Sequence, residues 1–170
     1  MDDYLGQVEA GADVGRLYYL ALVGALVIPD MCGALESADG QATPLRYKAW
    51  FDKHVAPMNL FGTTPILTGE DCYRFRCSLL HQGRTRHPDS AYRRIVFIEP
   101  GLGPIVGHMN ILNDALNIDV RSFCLEIVRA ARIWLGTVQG TEPYDSNFAE
   151  FVHRYPNGLP PYIVGVPVIG

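Results

Sequence analysis

The stretch TGEDCYRFRCSLLHQG, Thr68–Gly83, decides how the chain is read. A threonine followed three residues later by Asp71 is a capping-box-like helix start, with Asp where Glu or Gln is usual. Glu70 and Asp71 lie where a helix N-terminus favours negative charge, and Gly83 is a natural C-terminal stop. At about 100° per residue, with Cys72 at zero, Leu79 falls at about 340°, Phe75 at about 300°, Leu80 at about 80° and Tyr73 at about 100°. That spacing predicts a wide apolar core stripe. Arg74 and His81 share the opposite face, at about 200° and about 180°. Arg76 falls at about 40°, inside the stripe. A guanidinium there must find a carboxylate or carbonyls, snorkel to water, or face a cavity or a subunit interface.

Working outward, Arg16 to Ile28 reads as a buried helix, apolar nearly all round, with Pro29 bending or ending it and residues 30–36 continuing it. Thr43-Pro44 is an N-cap followed by proline at the first helical position, opening a helix to about Val55. Asp119 caps a long amphipathic helix over about Val120 to Leu135, and a shorter one runs from Asp145 or Ser146 to about His153. Arg94–Ile98 is β-rich, Pro100–Pro104 is a turn, and Ile105 to Leu112 is the expected returning strand of a β-hairpin. The glycines of Gly101–Gly107 read as that turn rather than a phosphate loop, because Pro104 intervenes and no helix follows. Residues 1–13 are acidic and glycine-containing and are expected to fray. The tail 155–170 holds four prolines and three glycines around an apolar Tyr162–Ile169, and is expected to be an extended strap on the body or on a partner. The expected fold is mostly α: one domain over 1–170, an up-and-down bundle of four to five helices with a small β-hairpin insertion and an extended C-terminal strap.

Composition bounds the function. The chain of 170 residues is 48% hydrophobic and 19% charged, a globular composition that excludes a disordered tail protein. The apolar run Leu17–Ile28 is shorter than the ~18 residues of a membrane span, so a core helix and no membrane association are expected. Asp2, Asp3, Glu9 and Asp13 have the wrong charge for a targeting peptide. Cys32, Cys72, Cys77 and Cys124 form no C-x-x-C pair, and His87 and His108 have no metal-ligand company. Reduced thiols in the cytoplasm, no metal and no cofactor are the expectation. The net charge of −4 argues against a protein that coats nucleic acid non-specifically. Yet Arg74 to Arg94 holds six arginines against the single Asp89, a local charge of +5. This is either a solvated basic loop or a phosphate-facing patch.

Arg76-Cys-Ser-Leu-Leu-His81 has the form R-x4-H near the end of a capped helix. In this it resembles the HEPN superfamily (higher eukaryotes and prokaryotes nucleotide-binding domain), many of whose members are metal-independent endoribonucleases of bacterial toxin and defence systems. The resemblance implies that His81 acts as general base or acid on the ribose 2′-hydroxyl or the leaving 5′-oxygen, work that suits an imidazole. It implies that Arg76 holds the scissile phosphate and offsets the charge growing in the transition state. The two motif helices of a homodimer would face each other, and the product would end in a 2′,3′-cyclic phosphate. Arg74 gives the longer spacing R-x6-H to the same histidine; with Arg84 and Arg86 it would contact RNA or a nucleotide. Toxin systems also imply an inhibitory protein partner, an antitoxin, which the sequence does not identify. One departure stands out: Cys77 occupies the place where active members commonly carry Asn, Asp or His, and a thiol is a weak hydrogen-bonding group. A degenerate domain of this kind would bind RNA or nucleotides, or serve as a non-catalytic helical dimerisation module. The structural alternative has Arg76 in a salt bridge with Asp30 or Glu36 and His81 as a favourable charge at a helix C-terminus.

Overall fold

Helix α1 (Asp2–Ala12) lays Leu5, Val8 and Ala12 into the core in the computed structural model of the chain, which describes residues 1–86, 88–101 and 107–170. The expected fraying of residues 1–13 is overturned. Leu5, Val8 and Ala12 recur at helical spacing and make one apolar face, and the Tyr4 hydroxyl donates to the Gly24 carbonyl at 2.9 Å. Helix α2 (Tyr18–Leu35) continues through Pro29 and spans eighteen residues, so the helix does not end there and residues 30–35 extend it. It has the length and hydropathy of a membrane span, and half of it is buried inside the protein. The core helix of a soluble protein meets the same description.

Helix α3 (Pro44–His54) starts where Thr43 accepts a hydrogen bond from the Arg46 amide. A short 3-10 turn, Ala56–Met58, and a two-residue ribbon of β1 (Leu60–Phe61) and β2 (Thr64–Pro65) lead into helix α4 (Gly69–Gln82). Gly69 sits against the Lys48 backbone, leaving no room for a Cβ, which is how α4 closes onto α3. Helix α5 (Val120–Val138) is capped by Asp119, whose carboxylate accepts from the Ser122 amide at 2.7 Å. Helix α6 (Tyr144–Ala149) is short. Among the described residues there are six α-helices rather than four to five. Helices α1, α3 and α5 pack on α2, and α4 packs on α3. Trp50 and Trp134 meet edge-to-face at the centre with ring centroids 6.1 Å apart.

The β region differs from the expected hairpin. Strand β3 (Arg94–Ile98) pairs in parallel with β5 (Ala115–Asp119), and β4 (Asn110–Leu112) pairs antiparallel with β5. The hairpin therefore joins β4 to β5 rather than 94–98 to 105–112. Asn113 and Asp114 both adopt positive φ at its tip, the two-residue turn that matches strand twist. Ile95, Leu116 and Ile118 bury one sheet face. The expected turn at 100–104 and the start of the expected return strand fall largely outside the described residues.

The tail is a self-paired ribbon, not a strap laid on the body. Strand β6 (Arg154–Tyr155) pairs with β9 (Val168–Ile169), and β7 (Gly158–Leu159) with β8 (Ile163–Val164). His153 and Gly170 exchange backbone hydrogen bonds at 2.8 and 3.0 Å and close it. Gly158 and Gly165 supply the positive φ that lets so short a segment fold back on itself. Tyr162, Val164 and Ile169 remain largely exposed.

Candidate functional site

The geometry of α4 begins with its ends. Thr68 Oγ1 accepts from the Asp71 amide at 3.2 Å. Gly83, at φ 62°, takes the left-handed conformation, and the amides of Gly83 and Arg84 return to the carbonyls of Leu79 and Ser78. This double C-terminal bond fixes where His81 sits, in the last turn of the helix. The buried side of the helix is Asp71, Cys72, Phe75, Ser78 and Leu79, with Tyr73 and Leu80 only half-buried. The core stripe is thus rotated away from Arg76, which lies at its margin.

Arg76 finds its partner inside the chain. Its Nε donates to Asp30 Oδ2 at 3.0 Å and Nη2 lies 2.7 Å from the same oxygen. Both side chains are mostly buried, 18% and 15% exposed. Of the two carboxylates open to Arg76, Glu36 is taken by the Trp134 indole N–H at 2.8 Å. Burial raises the Asp30 carboxyl above its ordinary range; the Arg76 charge and hydrogen bonds, and the nearby His81, oppose this without cancelling it. At Arg76 burial works against the charge, but Asp30 and Cys77 more than offset it, and the guanidinium is held above its ordinary value. The partners answer differently because the carboxylate loses more hydration than one cation returns. Position 76 in the apolar stripe therefore needs no second subunit to explain it.

Arg76 Nη1 lies 3.1 Å from His81 Nε2. A guanidinium only donates, so Nε2 accepts and the ring proton of His81 sits on Nδ1. Of the five guanidinium N–H groups, two serve Asp30 and one meets His81, which leaves donors for a further acceptor. Cys77 is half-buried beside this group; burial raises the Tyr73 phenol, and a hydrogen bond with Cys77 adds to the rise. The Arg76 guanidinium stands 6.0 Å from the centroid of the Tyr73 ring. His81 itself is exposed.

The other arginines divide. Arg74 is engaged by Glu70 at 2.9 Å, one turn earlier, and by the Asp89 carbonyl. Arg84, Arg86, Arg93 and Arg94 are exposed and, among the described residues, form no ion pair. Their loop folds back along α4. Asp71 accepts from the Ala91 amide at 2.9 Å and from Ser90 Oγ at 3.4 Å, the Tyr92 hydroxyl donates to the Ile66 carbonyl, and the Ile95 amide reaches the Thr85 carbonyl at 3.4 Å. Nothing in the sequence singles out Asp71 as this tether, because its partners lie about twenty residues away.

A second polar group is Glu126, which accepts from Asn59 Nδ2 at 2.7 Å and lies 3.2 Å from His108 Nε2, a pairing of residues scattered along the chain. Among the described residues no group of three or more His, Cys, Asp or Glu is placed to hold a metal ion, and all four cysteines are free. Comparison of the chain with protein-family models, with curated proteins and with solved structures finds no match.

Proposed function

We propose that the protein is a HEPN-like endoribonuclease of the cytoplasm that works as a homodimer and without a metal. The observation that supports this reading is the contact of Arg76 Nη1 with His81 Nε2 at 3.1 Å, which couples a phosphate-binding group to a proton acceptor. A phosphodiester oxygen is a charged acceptor and competes with the imidazole for the Nη1 proton. Taking it frees the Nε2 lone pair. His81 then removes the proton of the ribose 2′-hydroxyl as that oxygen bonds to phosphorus. The bond from phosphorus to the 5′-oxygen breaks, and the 5′-oxygen takes a proton from an imidazolium. The products are a 2′,3′-cyclic phosphate and a 5′-hydroxyl. Asp30 holds the guanidinium through its inner edge, so the rest of it stays aimed. A second copy opposite α4 would bring a second imidazole, so that one ring accepts while the other donates. An inhibitory protein partner would act by covering this face.

The Asp30–Arg76 ion pair and Cys77 favour a second reading, a non-catalytic RNA-binding or dimerisation module in which Arg76 is structural. Purified protein is incubated with structured RNA in excess chelator. The first reading expects cleavage that falls ~10²–10⁴-fold in His81→Ala, the usual worth of a proton-transfer group. Cleavage surviving in that variant would assign the activity elsewhere. Absence of cleavage by the wild-type chain favours the module, and gain of cleavage on Cys77→Asn would show the rest of the site intact. Sedimentation at tens of micromolar giving only monomer removes the composite site.

A further inference from the structure

Arg84, Arg86, Arg93 and Arg94, which form no ion pair among the described residues, meet across a groove. Strand β3 carries Arg94 and Val96 on the face opposite the buried Ile95, beside their register partners Ala115 and Asn117 on β5. Over this outer face lies a cavity of about 530 Å³ walled by Arg86, Arg93, Arg94, Asn113 and Asn117. A second, of about 520 Å³, is walled by Arg84, Arg86, Ser90, Tyr92 and Arg93. The two share Arg86 and Arg93 and so adjoin. Among the described residues no carboxylate lines either.

Like charges held together without a counter-ion repel, and this chain tethers its arginine loop to α4 through Asp71 and to β3 through Thr85, against that repulsion. An anion in the groove relieves it. Each cavity is of ligand size, and the pair forms one continuous positively charged path. A single phosphate or mononucleotide fills one cavity; successive phosphates of one strand occupy both. Tyr92 adds an aromatic wall of the kind on which bases stack. We propose that this groove binds the phosphate backbone of a single-stranded polynucleotide, with Arg93, Arg94 and Asn117 as contacts added to Arg84 and Arg86. The inference stands on the arginines and holds whether or not Arg76 and His81 cleave the strand.

The test uses the full chain and a labelled twelve-nucleotide oligothymidylate, followed by fluorescence anisotropy at several salt concentrations. This probe lacks the 2′-hydroxyl and cannot be cleaved by the route above, so binding and cleavage are read separately. Arg93→Ala/Arg94→Ala should weaken binding at least tenfold. It should also lower the salt slope by about 1.4, at ~0.7 for each single-strand phosphate that is no longer neutralised. Arg93→Lys/Arg94→Lys should recover most of the slope, and Arg129→Ala, an exposed arginine on α5, should change neither quantity. Circular dichroism should show every variant folded, since these side chains are exposed. Binding that ignores the double substitution overturns the inference. So does inorganic tripolyphosphate that binds as tightly as the oligonucleotide, which marks a small phosphoryl ligand, or oligoglutamate that displaces it equally well, which marks an acidic protein partner. Absence of RNA cleavage by the wild-type chain, with oligothymidylate binding intact, would sink the nuclease reading alone.

Discussion

Replacing Arg76 by Met keeps the aliphatic stem and removes the charge that faces Asp30. The loss can be worked from the geometry. Asp30 Oδ2 gives up two donors, at 3.0 and 2.7 Å, and its side chain is 15% exposed. Breaking a fully buried pair costs about 3–5 kcal/mol and an exposed one contributes about 0–1, so this pair is worth about 2–3 kcal/mol against single truncation. For a chain of this size that is a fall in Tm of about 4–12 °C. The deficit must also depend on pH. Asp30 already titrates above the ordinary carboxylate range because it is partly buried, and Arg76 is the main influence opposing that rise. Without Arg76 the rise grows. A carboxyl raised on folding costs no stability below its unfolded pKa; the cost appears as pH climbs from there towards the folded pKa and is complete above it. The variant should therefore approach the wild type near pH 4 and fall furthest behind at pH 7.5. Asp30→Asn in the Arg76→Met background should restore most of the loss at pH 7.5. Urea unfolding followed by the fluorescence of Trp50 and Trp134, both almost fully buried, reads all of this. Equal deficits at the two pH values, or no recovery in the double variant, would refute the ion pair as the reason Arg76 sits where it does.

Three other outcomes are expected. Gly69→Ala places a methyl 2.8 Å from Lys48 Cα and 3.0 Å from its carbonyl carbon, both backbone, and should cost about 1–3 kcal/mol, read from the urea midpoint. Leu116→Ala, at a fully buried site on the inner sheet face, should cost about 2–5 kcal/mol by the same measurement. Asp71→Ala removes the acceptor of the Ala91 amide and should release the arginine loop; hydrogen exchange at Ala91 should quicken while the interior of α4 stays protected, and equal protection at Ala91 would show that the tether lies elsewhere.

The long helices were legible from local signals. Thr43, Thr68 and Asp119 each cap a helix as their side chains predict, and Gly83 ends α4 with the left-handed turn that glycine permits. Such signals act over one turn of chain and can be seen in a short window. Single residue types mislead where packing outweighs them. Acidic residues and glycines at 1–13 mask the helical spacing of Leu5, Val8 and Ala12, and Pro29 suggests a break that the buried surroundings of α2 override.

What needed the tertiary structure was every pairing across distance. The wheel of α4 locates the conflict at Arg76 and leaves Asp30, Glu36, a cavity and a subunit as answers; only packing of α2 against α4 brings Asp30 within 2.7 Å. The pairing of β3 with β5 in parallel is invisible locally, because a parallel neighbour comes from a strand beyond the next turn and its register is set by shared burial of Ile95, Leu116 and Ile118. The arginine run shows its charge in sequence and nothing of its shape. Folding separates its members, giving Arg74 to Glu70 and Arg76 to Asp30 and leaving Arg84, Arg86, Arg93 and Arg94 around one groove, because charge is a property of residues and a counter-charge is a property of space.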